Sequence, residues 1–454
     1  MKASRHEAKR GAFRRRLEAR HLVVLACFLA TLSAYVERVG FSIAYTAMAK
    51  IDKVDEATKG TVLSAFYWGY GVSQVPGGWA AQRWGGRRML MVSFGLWSTA
   101  SMLTPGSAAS NSAIILARVA VGVAQGFLIP SVHTVLSQWI PPHERAKAVS
   151  LSTSGMYLGS AAGMLVLPSI AARASPAALL KFVGALGYAW LAFWLTVGKE
   201  VPHRLATIPL ASGESKQKGR TPATPWLRML TQPAVWAIII NNFTFHYAFY
   251  VVMNWLPTYF DKVLHADLAS LGAVKTLPYL AMFGSSNLGG WLGDHLIHQH
   301  KTHTARARKF VNTLGFVGAA VALLFMPRAS DVASGVAATT SALALAGFAR
   351  GGFSVNHMDI APKYAGILMG ISNTAGTLAG VIGVAVTGLL LNTAELQKLK
   401  AYQQQLETRN ALLEKVSRIN NQPDQTSSSD EIAMSAVDRQ TVCDETSLNE
   451  KAAE

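Results

Sequence analysis

Gly77-Gly78-Trp79-Ala80-Ala81-Gln82-Arg83-Trp84-Gly85-Gly86-Arg87-Arg88 closes one long apolar run, and a shortened copy, Gly289-Gly290-Trp291-Leu292-Gly293-Asp294-His295, closes another in the second half of the chain. In both, small residues that let helix backbones approach closely run into polar or basic residues that end an apolar span. A junction repeated in this way divides the chain into two related halves. Membrane carriers with a substrate site at mid-membrane are commonly built on that plan.

The composition around these junctions agrees. Of 454 residues, 50% are hydrophobic and only 15% charged, and the mean hydropathy is positive at +0.25, which argues against a soluble enzyme. A bilayer core takes about 20 apolar residues as helix, because each backbone group there must be hydrogen-bonded within its own segment. Eleven stretches meet that test: 22–45, 60–80, 88–108, 112–138, 148–172, 177–197, 234–256, 268–291, 310–327, 333–354 and 364–391. The expectation is an all-α, polytopic membrane protein.

The formal charge of +17, from 42 Lys and Arg against 25 Asp and Glu, would suggest nucleic acid in a soluble chain. Its distribution says otherwise. Residues 1–21 carry eight Lys or Arg and no apolar stretch of their own, so they read as a basic cytoplasmic anchor rather than a cleaved signal. With that end in the cytoplasm, Arg83, Arg87, Arg88, Arg145, Lys147, the 199–228 loop and Lys301 to Lys309 fall on the same side. The charge is then topology, with anionic lipid as a weak partner and no role for nucleic acid.

The loop from Gly198 carries Ser212, Gly213, Lys216, Lys218, Gly219 and Pro222, the composition of a flexible linker. The expected organisation is a first transmembrane bundle over 22–197, a linker over 198–233, a second bundle over 234–391 and a polar tail over 392–454. That tail is partly helical, with Leu399, Tyr402, Leu406, Leu413 and Val416 at heptad spacing broken by Arg409, the pattern of a solvated helix or a short coiled coil. No twelfth apolar run follows Asn392.

Charged residues inside the spans carry the functional information, since one at a helix centre costs roughly 2.5 to 3.5 kcal/mol on insertion scales. Glu37 and Arg38 lie deep in the first span. As neighbours they point about 100° apart, so they do not simply neutralise one another. Arg38 can hold an anion while Glu37 meets another partner, the bland alternative being a salt bridge that packs helices. In the fourth span Arg118, Gly122 and Gln125 share one face, and the guanidinium fork of Arg118 matches phosphate or carboxylate oxygens. Its alternative is an arginine snorkelling to the membrane surface. Lys275 sits one turn or so into the eighth span, and His133, His246, His357 and Asp359 lie near other span ends. Imidazole and carboxylate groups can carry a coupled proton, although each alone more often serves a structural hydrogen bond. His295, His298, His300 and His303 have metal-like spacing but sit in a basic loop without cysteine, so no metal is expected. No nucleophile elbow, P-loop or HExxH motif is present. No catalysis and no cofactor are expected.

The two Gly-Gly-Trp junctions resemble the loop motif G-x-L-x-D-R-x-G-R-R of the major facilitator superfamily. The first copy keeps Gly78, Arg83, Gly85 and Arg87 but has Gln82 in the acid's place, and the second keeps Gly290, Leu292 and Asp294. Within that superfamily, Tyr35 to Ala49, Phe66 to Gly86, Arg118 to Arg145, Asn254 to Phe260, and Val355 to Pro362 with Gly370 to Thr374 resemble the anion:cation symporter family. That family includes vesicular glutamate carriers, sialin and plant phosphate transporters, and the likeness is greatest to the plant type, particularly its Golgi member. The resemblance implies a major facilitator fold of two bundles, with six spans and five recognisable spans, that rock around a central site.

By the same resemblance Arg38 and Arg118 match arginines that serve anion transport in the family; Gln125 and Lys275 are expected at the substrate with them. Gln125 stands where the vesicular glutamate carriers have a glutamate, and Phe245 about where they have a further arginine, which turns the expectation from glutamate to inorganic phosphate. Coupling to H+ or Na+ is expected through Glu37, His133, His357 or Asp359, and gating through the two junction motifs. A short N-terminus containing only Ser4 is unlike the Ser-rich transit sequences of chloroplast members and favours a Golgi or other endomembrane address over plastid or plasma membrane. Kept open beside phosphate symport are an organic-anion carrier for glutamate, sialate or an ascorbate-like solute, a membrane-embedded enzyme, and a scaffold acting through the tail helix.

Overall fold

The computed structural model describes residues 2–107, 110–197, 224–264 and 276–420. Within them the chain forms fourteen α-helices: α1 (Lys2–Ile51), α2 (Glu56–Trp84), α3 (Gly86–Met102), α4 (Asn111–Gly126), α5 (Leu128–Trp139), α6 (Arg145–Arg173), α7 (Pro176–Val197), α8 (Trp226–Leu230), α9 (Pro233–Lys262), α10 (Leu277–His298), α11 (Thr304–Phe325), α12 (Val332–Phe353), α13 (Asn356–Ile360) and α14 (Ala365–Asn420). Eight stretches are long and apolar enough to cross a membrane. The shorter or more polar α2, α3 and α10 complete the expected eleven. Large apolar residues such as Val72, Leu116 and Leu324 are exposed on the outside of the helices, as lipid contact demands.

Local chemistry sets the helix limits. Asp55 caps α2 by accepting the Thr58 backbone N–H at 2.8 Å. Asp331 and Ser334 form a capping box at the start of α12. The span expected over 112–138 is broken into α4 and α5 at Phe127. Pro130 has no N–H to give the Gly126 carbonyl, so the helix cannot continue there unbroken. Gly85 turns the chain between α2 and α3 at φ +92°, a conformation that a side chain strains.

In the first half, α1 packs on α6 and α7, α2 on α4, and α3 on α7. Phe94 and Trp190 stack with ring centroids 3.7 Å apart, and the Trp190 indole N–H donates to the Ala26 carbonyl at 2.9 Å, tying α3 and α7 to α1. In the second half α12 is central, packed by α9, α10 and α11. The halves meet along α6 with α10, and along α2 with α14.

The chain separates into a unit of residues 1–384, which holds this helical assembly, and a unit of residues 385–454. Two expected boundaries differ from the observed elements. The helix that begins the basic N-terminus starts at Lys2 and is continuous with the first span. At the other end α14 has no break at 392, since Asn392-Thr393-Ala394-Glu395 contains neither glycine nor proline to stop it. The tail side chains Tyr402, Leu406 and Leu413 are exposed, as a solvated helix would have them.

Candidate functional site

Glu37 on α1 has no solvent exposure, and three donors converge on it. Arg118 Nη1 lies 2.7 Å from its Oε1, Ser101 Oγ donates to the same oxygen at 3.0 Å, and Gln125 Nε2 donates to Oε2 at 2.8 Å. Three helices, α1, α3 and α4, therefore close on one buried carboxylate. Two charges in this setting are tolerable because each satisfies the other and the leftover lone pairs are hydrogen-bonded. The spacing that brings Arg118 and Gln125 to one face also depends on Gly122 between them, where a Cβ would collide with the Phe66 carbonyl of α2.

Arg38, the next residue, turns to a different set of partners. Its Nε donates to Gln125 Oε1 at 2.9 Å, so the Gln125 amide joins Arg38 to Glu37. Its guanidinium lies over the rings of Tyr35, Phe66 and Tyr70 at 4.5, 4.5 and 4.6 Å. Nη2 is buried without a hydrogen-bond partner. Among the described residues no carboxylate pairs with Arg38. Arg118, by contrast, is neutralised by Glu37 at 2.7 Å.

A further buried cation faces this group from the second half. Arg350 on α12 is 5% exposed, and its Nη1 donates to the Tyr157 hydroxyl of α6 at 3.1 Å and approaches Met156 Sδ at 3.6 Å. Its guanidinium lies 5.2 Å over the Phe245 ring of α9, and its Nε is buried with no partner. The phenol of Tyr35 is within electrostatic reach of both Arg38 and Arg350, and that of Tyr250 is within reach of Arg38, Tyr35 and Tyr70. Phenols from α1, α2, α6 and α9 thus surround two guanidinium groups, one from each half. Hydroxyl and guanidinium donors without acceptors of their own are what an oxyanion needs. The sequence reading missed Arg350. Its signal was present, a charge inside the apolar run Ala342 to Phe353.

The junction motifs lie where the halves close together at the basic-loop end. A Cβ on Gly78 would run into the Gly366 carbonyl at the start of α14, and one on Gly290 into the Ser150 hydroxyl of α6. Asp294 accepts the backbone N–H groups of Ala146 and Lys147 at 3.3 and 2.9 Å, in the first turn of α6. Arg308 lies 3.5 Å from Asp294 and 3.0 Å from Asp359, which places Asp359 in this ionic cluster. Arg145 donates to the Met358 carbonyl at 3.2 Å. Gln82 accepts from the Thr224 hydroxyl at 3.5 Å, Arg83 is exposed and lies 5.5 Å over Trp79, and the Arg87 carbonyl accepts from the Trp194 indole at 3.3 Å.

Higher along the same seam, Asn373 of α14 donates to Tyr70 Oη at 3.0 Å and Gln74 Oε1 at 2.7 Å. His133 and His357 are both fully buried, one on each side of the seam, with ring centroids 5.4 Å apart. His357 is held by the Ser354 carbonyl and the Ser372 hydroxyl, each at 2.8 Å, while neither His133 nitrogen has a partner. Of the residues expected at the site, Glu37, Arg38, Arg118 and Gln125 come together, Asp359 and the histidines lie toward the basic-loop end, and Lys275 lies outside the described residues.

The profile of the Major Facilitator Superfamily matches residues 25–384. The chain is 47% identical over 388 residues to "Probable anion transporter 6" of Oryza sativa subsp. japonica, covering 84% of this chain and 90% of that protein. It is 35% identical to the "Sodium-dependent phosphate transport protein 1, chloroplastic" of Arabidopsis thaliana, covering 82% of this chain and 74% of the relative. Identity is also 35% to the Arabidopsis thaliana "Ascorbate transporter, chloroplastic", over 82% of this chain and 70% of that one. Among solved structures, the proton:xylose symporter XylE superposes with a TM-score of 0.64 at 14% identity, covering 84% of this chain and 90% of that one, a likeness of fold.

Proposed function

The chain belongs to the Major Facilitator Superfamily and is a multi-pass membrane transporter of the anion-transporter type; from that premise we propose that its cargo is inorganic phosphate, carried together with H+ or Na+ by alternating access. The observation that carries the reading is the state of Arg38. It is a permanently charged group deep in a membrane helix, with one terminal nitrogen buried and unpaired, ringed by aromatic faces and phenols rather than carboxylates. A charge of that kind costs several kcal/mol unless something negative meets it during the transport cycle. Phosphate offers tetrahedral oxygens to the guanidinium fork and to the Tyr35 and Tyr70 hydroxyls.

The neighbouring pair supplies the coupling element. Glu37 is, among the described residues, the carboxylate whose release from Arg118 would change the charge next to Arg38, and Gln125 connects the two events. Protonating Glu37, or giving it a sodium ion, would free Arg118 as a second cation beside the anion. Moving charge against a membrane potential costs about 2.3 kcal/mol per elementary charge per 100 mV, so a bare anion entering a negative interior needs accompanying cations. His133 and His357 are the next candidates for a coupled proton, and Asp359 works with Asp294 and Arg308 in closing the basic-loop end. An endomembrane address such as the Golgi goes with this reading, plastid being the alternative; a fluorescent fusion imaged against organelle markers decides between them.

The ascorbate transporter at the same identity as the phosphate relative makes an organic anion the rival cargo. Purified protein in liposomes, given labelled phosphate under imposed H+ or Na+ gradients, should accumulate it, and Arg38→Ala should abolish the uptake. Uptake of ascorbate or glutamate with none of phosphate would overturn the reading.

A further inference from the structure

We infer that Arg350 is a second substrate-contacting cation, to which Arg38 passes the anion, and that the two together favour a small, doubly charged tetrahedral oxyanion over a singly charged organic one. The inference deepens the phosphate reading and rests on it for the identity of the cargo.

Arg350 carries five N–H donors. The partners it has are one phenol, one thioether and the face of Phe245. None of these is charged, and its Nε has no acceptor at all. At 5% exposure it does not reach water or lipid headgroups, which removes the ordinary explanation for an arginine near a span end. Among the described residues no carboxylate compensates it. The phenols of Tyr35 and Tyr157 and the imidazoles of His133, His246 and His357 are near enough to feel its charge. A buried guanidinium held by Tyr157 yet electrically unanswered is a binding group awaiting its anion.

Position gives the order of contact. Arg38 lies 13 residues before the end of α1 at Ile51, which puts it roughly 20 Å from that end, on the side away from the basic loops. Arg350 lies ten residues, roughly 15 Å, before the basic-loop end of the span Val332–Ile360, closer to that side than Arg38. The Tyr35 ring lies under the Arg38 guanidinium at 4.5 Å, and its phenol is near enough to Arg350 to interact with that charge. Because Arg350 binds Tyr157 across the halves, an anion replacing that contact alters the bond that joins α12 to α6. Two unanswered positive charges match a dianion, whereas a singly charged anion leaves one of them uncompensated.

The test uses the full chain in liposomes, with uptake of labelled phosphate measured against concentration and in competition with sulfate, a tetrahedral dianion, and ascorbate, a monoanion. Arg350→Gln should raise the KM for phosphate about tenfold, the effect of losing a charge-assisted hydrogen bond pair, and shift the sulfate-to-ascorbate competition ratio toward ascorbate by a similar factor. Arg350→Lys should restore part of both. Tyr157→Phe, which keeps the charge and removes its fixed hydroxyl, should raise KM by a smaller factor, and it carries the test if Arg350→Gln yields no folded protein. An Arg350→Gln or Tyr157→Phe carrier with unchanged KM and competition ratio, differing only in maximal rate for all anions alike, would overturn the inference and leave the phosphate reading standing. Wild-type protein that moves ascorbate and no phosphate would overturn the phosphate reading, while inhibition of labelled ascorbate uptake by sulfate, compared between wild type and Arg350→Gln, would still judge Arg350.

Discussion

Asp294, at the last turn of α10, accepts the backbone N–H of Lys147 at 2.9 Å and so caps a helix belonging to the other half of the molecule. The first N–H groups of α6 have no intrahelical acceptor and sit at the positive end of its dipole, so a carboxylate there is stabilising twice over. Arg308 at 3.5 Å and the contact of Gly290 with Ser150 hold the acid in register. Replacing Asp294 by Ala should weaken the closed basic-loop end by about 1 to 2 kcal/mol, the range for a lost helix cap. Measured on an otherwise identical Ser150→Cys protein, thiol labelling from the basic-loop side should speed up several-fold. An unchanged labelling rate would mean that the seam is held by backbone packing alone.

Glu37→Gln separates coupling from binding. The amide keeps an acceptor for one donor of Arg118, Ser101 or Gln125 but carries no charge and no titratable proton. Exchange of internal for external phosphate, which needs no net movement of the coupling ion, should persist. Gradient-driven accumulation should fall to the passive level. If accumulation still follows the imposed gradient, Glu37 serves only to hold Arg118.

Glu37→Ala tests the structural side of the same pair. It leaves Arg118, at 3% exposure, a buried charge without its partner, and breaking a buried pair from one side costs about 3 to 5 kcal/mol. The purified variant should unfold at markedly lower temperature than wild type. Adding Arg118→Ala should recover part of the loss, because the orphaned charge is then gone, and a double variant as unstable as the sum of the singles would show the two residues to be independent.

Gly122→Ala should separate α2 from α4. A methyl group there meets the Phe66 carbonyl and the Tyr70 backbone nitrogen, and Phe66 is the ring shared by Arg38 at 4.5 Å and Arg118 at 5.0 Å. Overpacking of this kind costs about 1 to 3 kcal/mol. Melting temperature should drop and phosphate affinity with it, because the aromatic face under both arginines shifts. Loss of affinity without loss of stability would place the defect in the site and not in the packing.

Much of this was legible before any coordinates. The apolar runs and the repeated Gly-Gly-Trp junction gave the helical halves, since span length and backbone satisfaction leave few alternatives in lipid. Angular separation on a helix puts Glu37 and Arg38 on different faces, Glu37 toward Arg118 and Arg38 toward the rings of Tyr35, Phe66 and Tyr70, with Gln125 bonded to both. What periodicity on one helix cannot reveal is which group faces it from another. Arg118, expected beside the anion, is held by Glu37, and the buried setting of Arg350 is made by Tyr157 and Phe245 from two other helices. The break between α4 and α5 was equally hidden, because Pro130 in an apolar run stops a helix only according to its neighbours.

The two seams between the halves are built alike but are not equally charged, and the difference can be tested by restoring the missing acid. At one seam Gly290 meets Ser150 and, one turn further, Asp294 caps α6. At the other, Gly78 meets Gly366 at the start of α14, and the residue one turn further is the uncharged Gln82, which accepts from the Thr224 hydroxyl at 3.5 Å. Four residues along a helix return to the same face, so position 82 stands beside the first turn of α14 as position 294 stands beside that of α6. Gln82→Asp should therefore provide a second charged cap at the basic-loop end and stabilise the closed state by about 0.5 to 2 kcal/mol. The expected result is slower phosphate turnover at unchanged affinity for phosphate offered from the opposite side, together with slower labelling of Ser150→Cys. Faster turnover would show that an acid at position 82 pushes the halves apart, and that the two junctions act by different means.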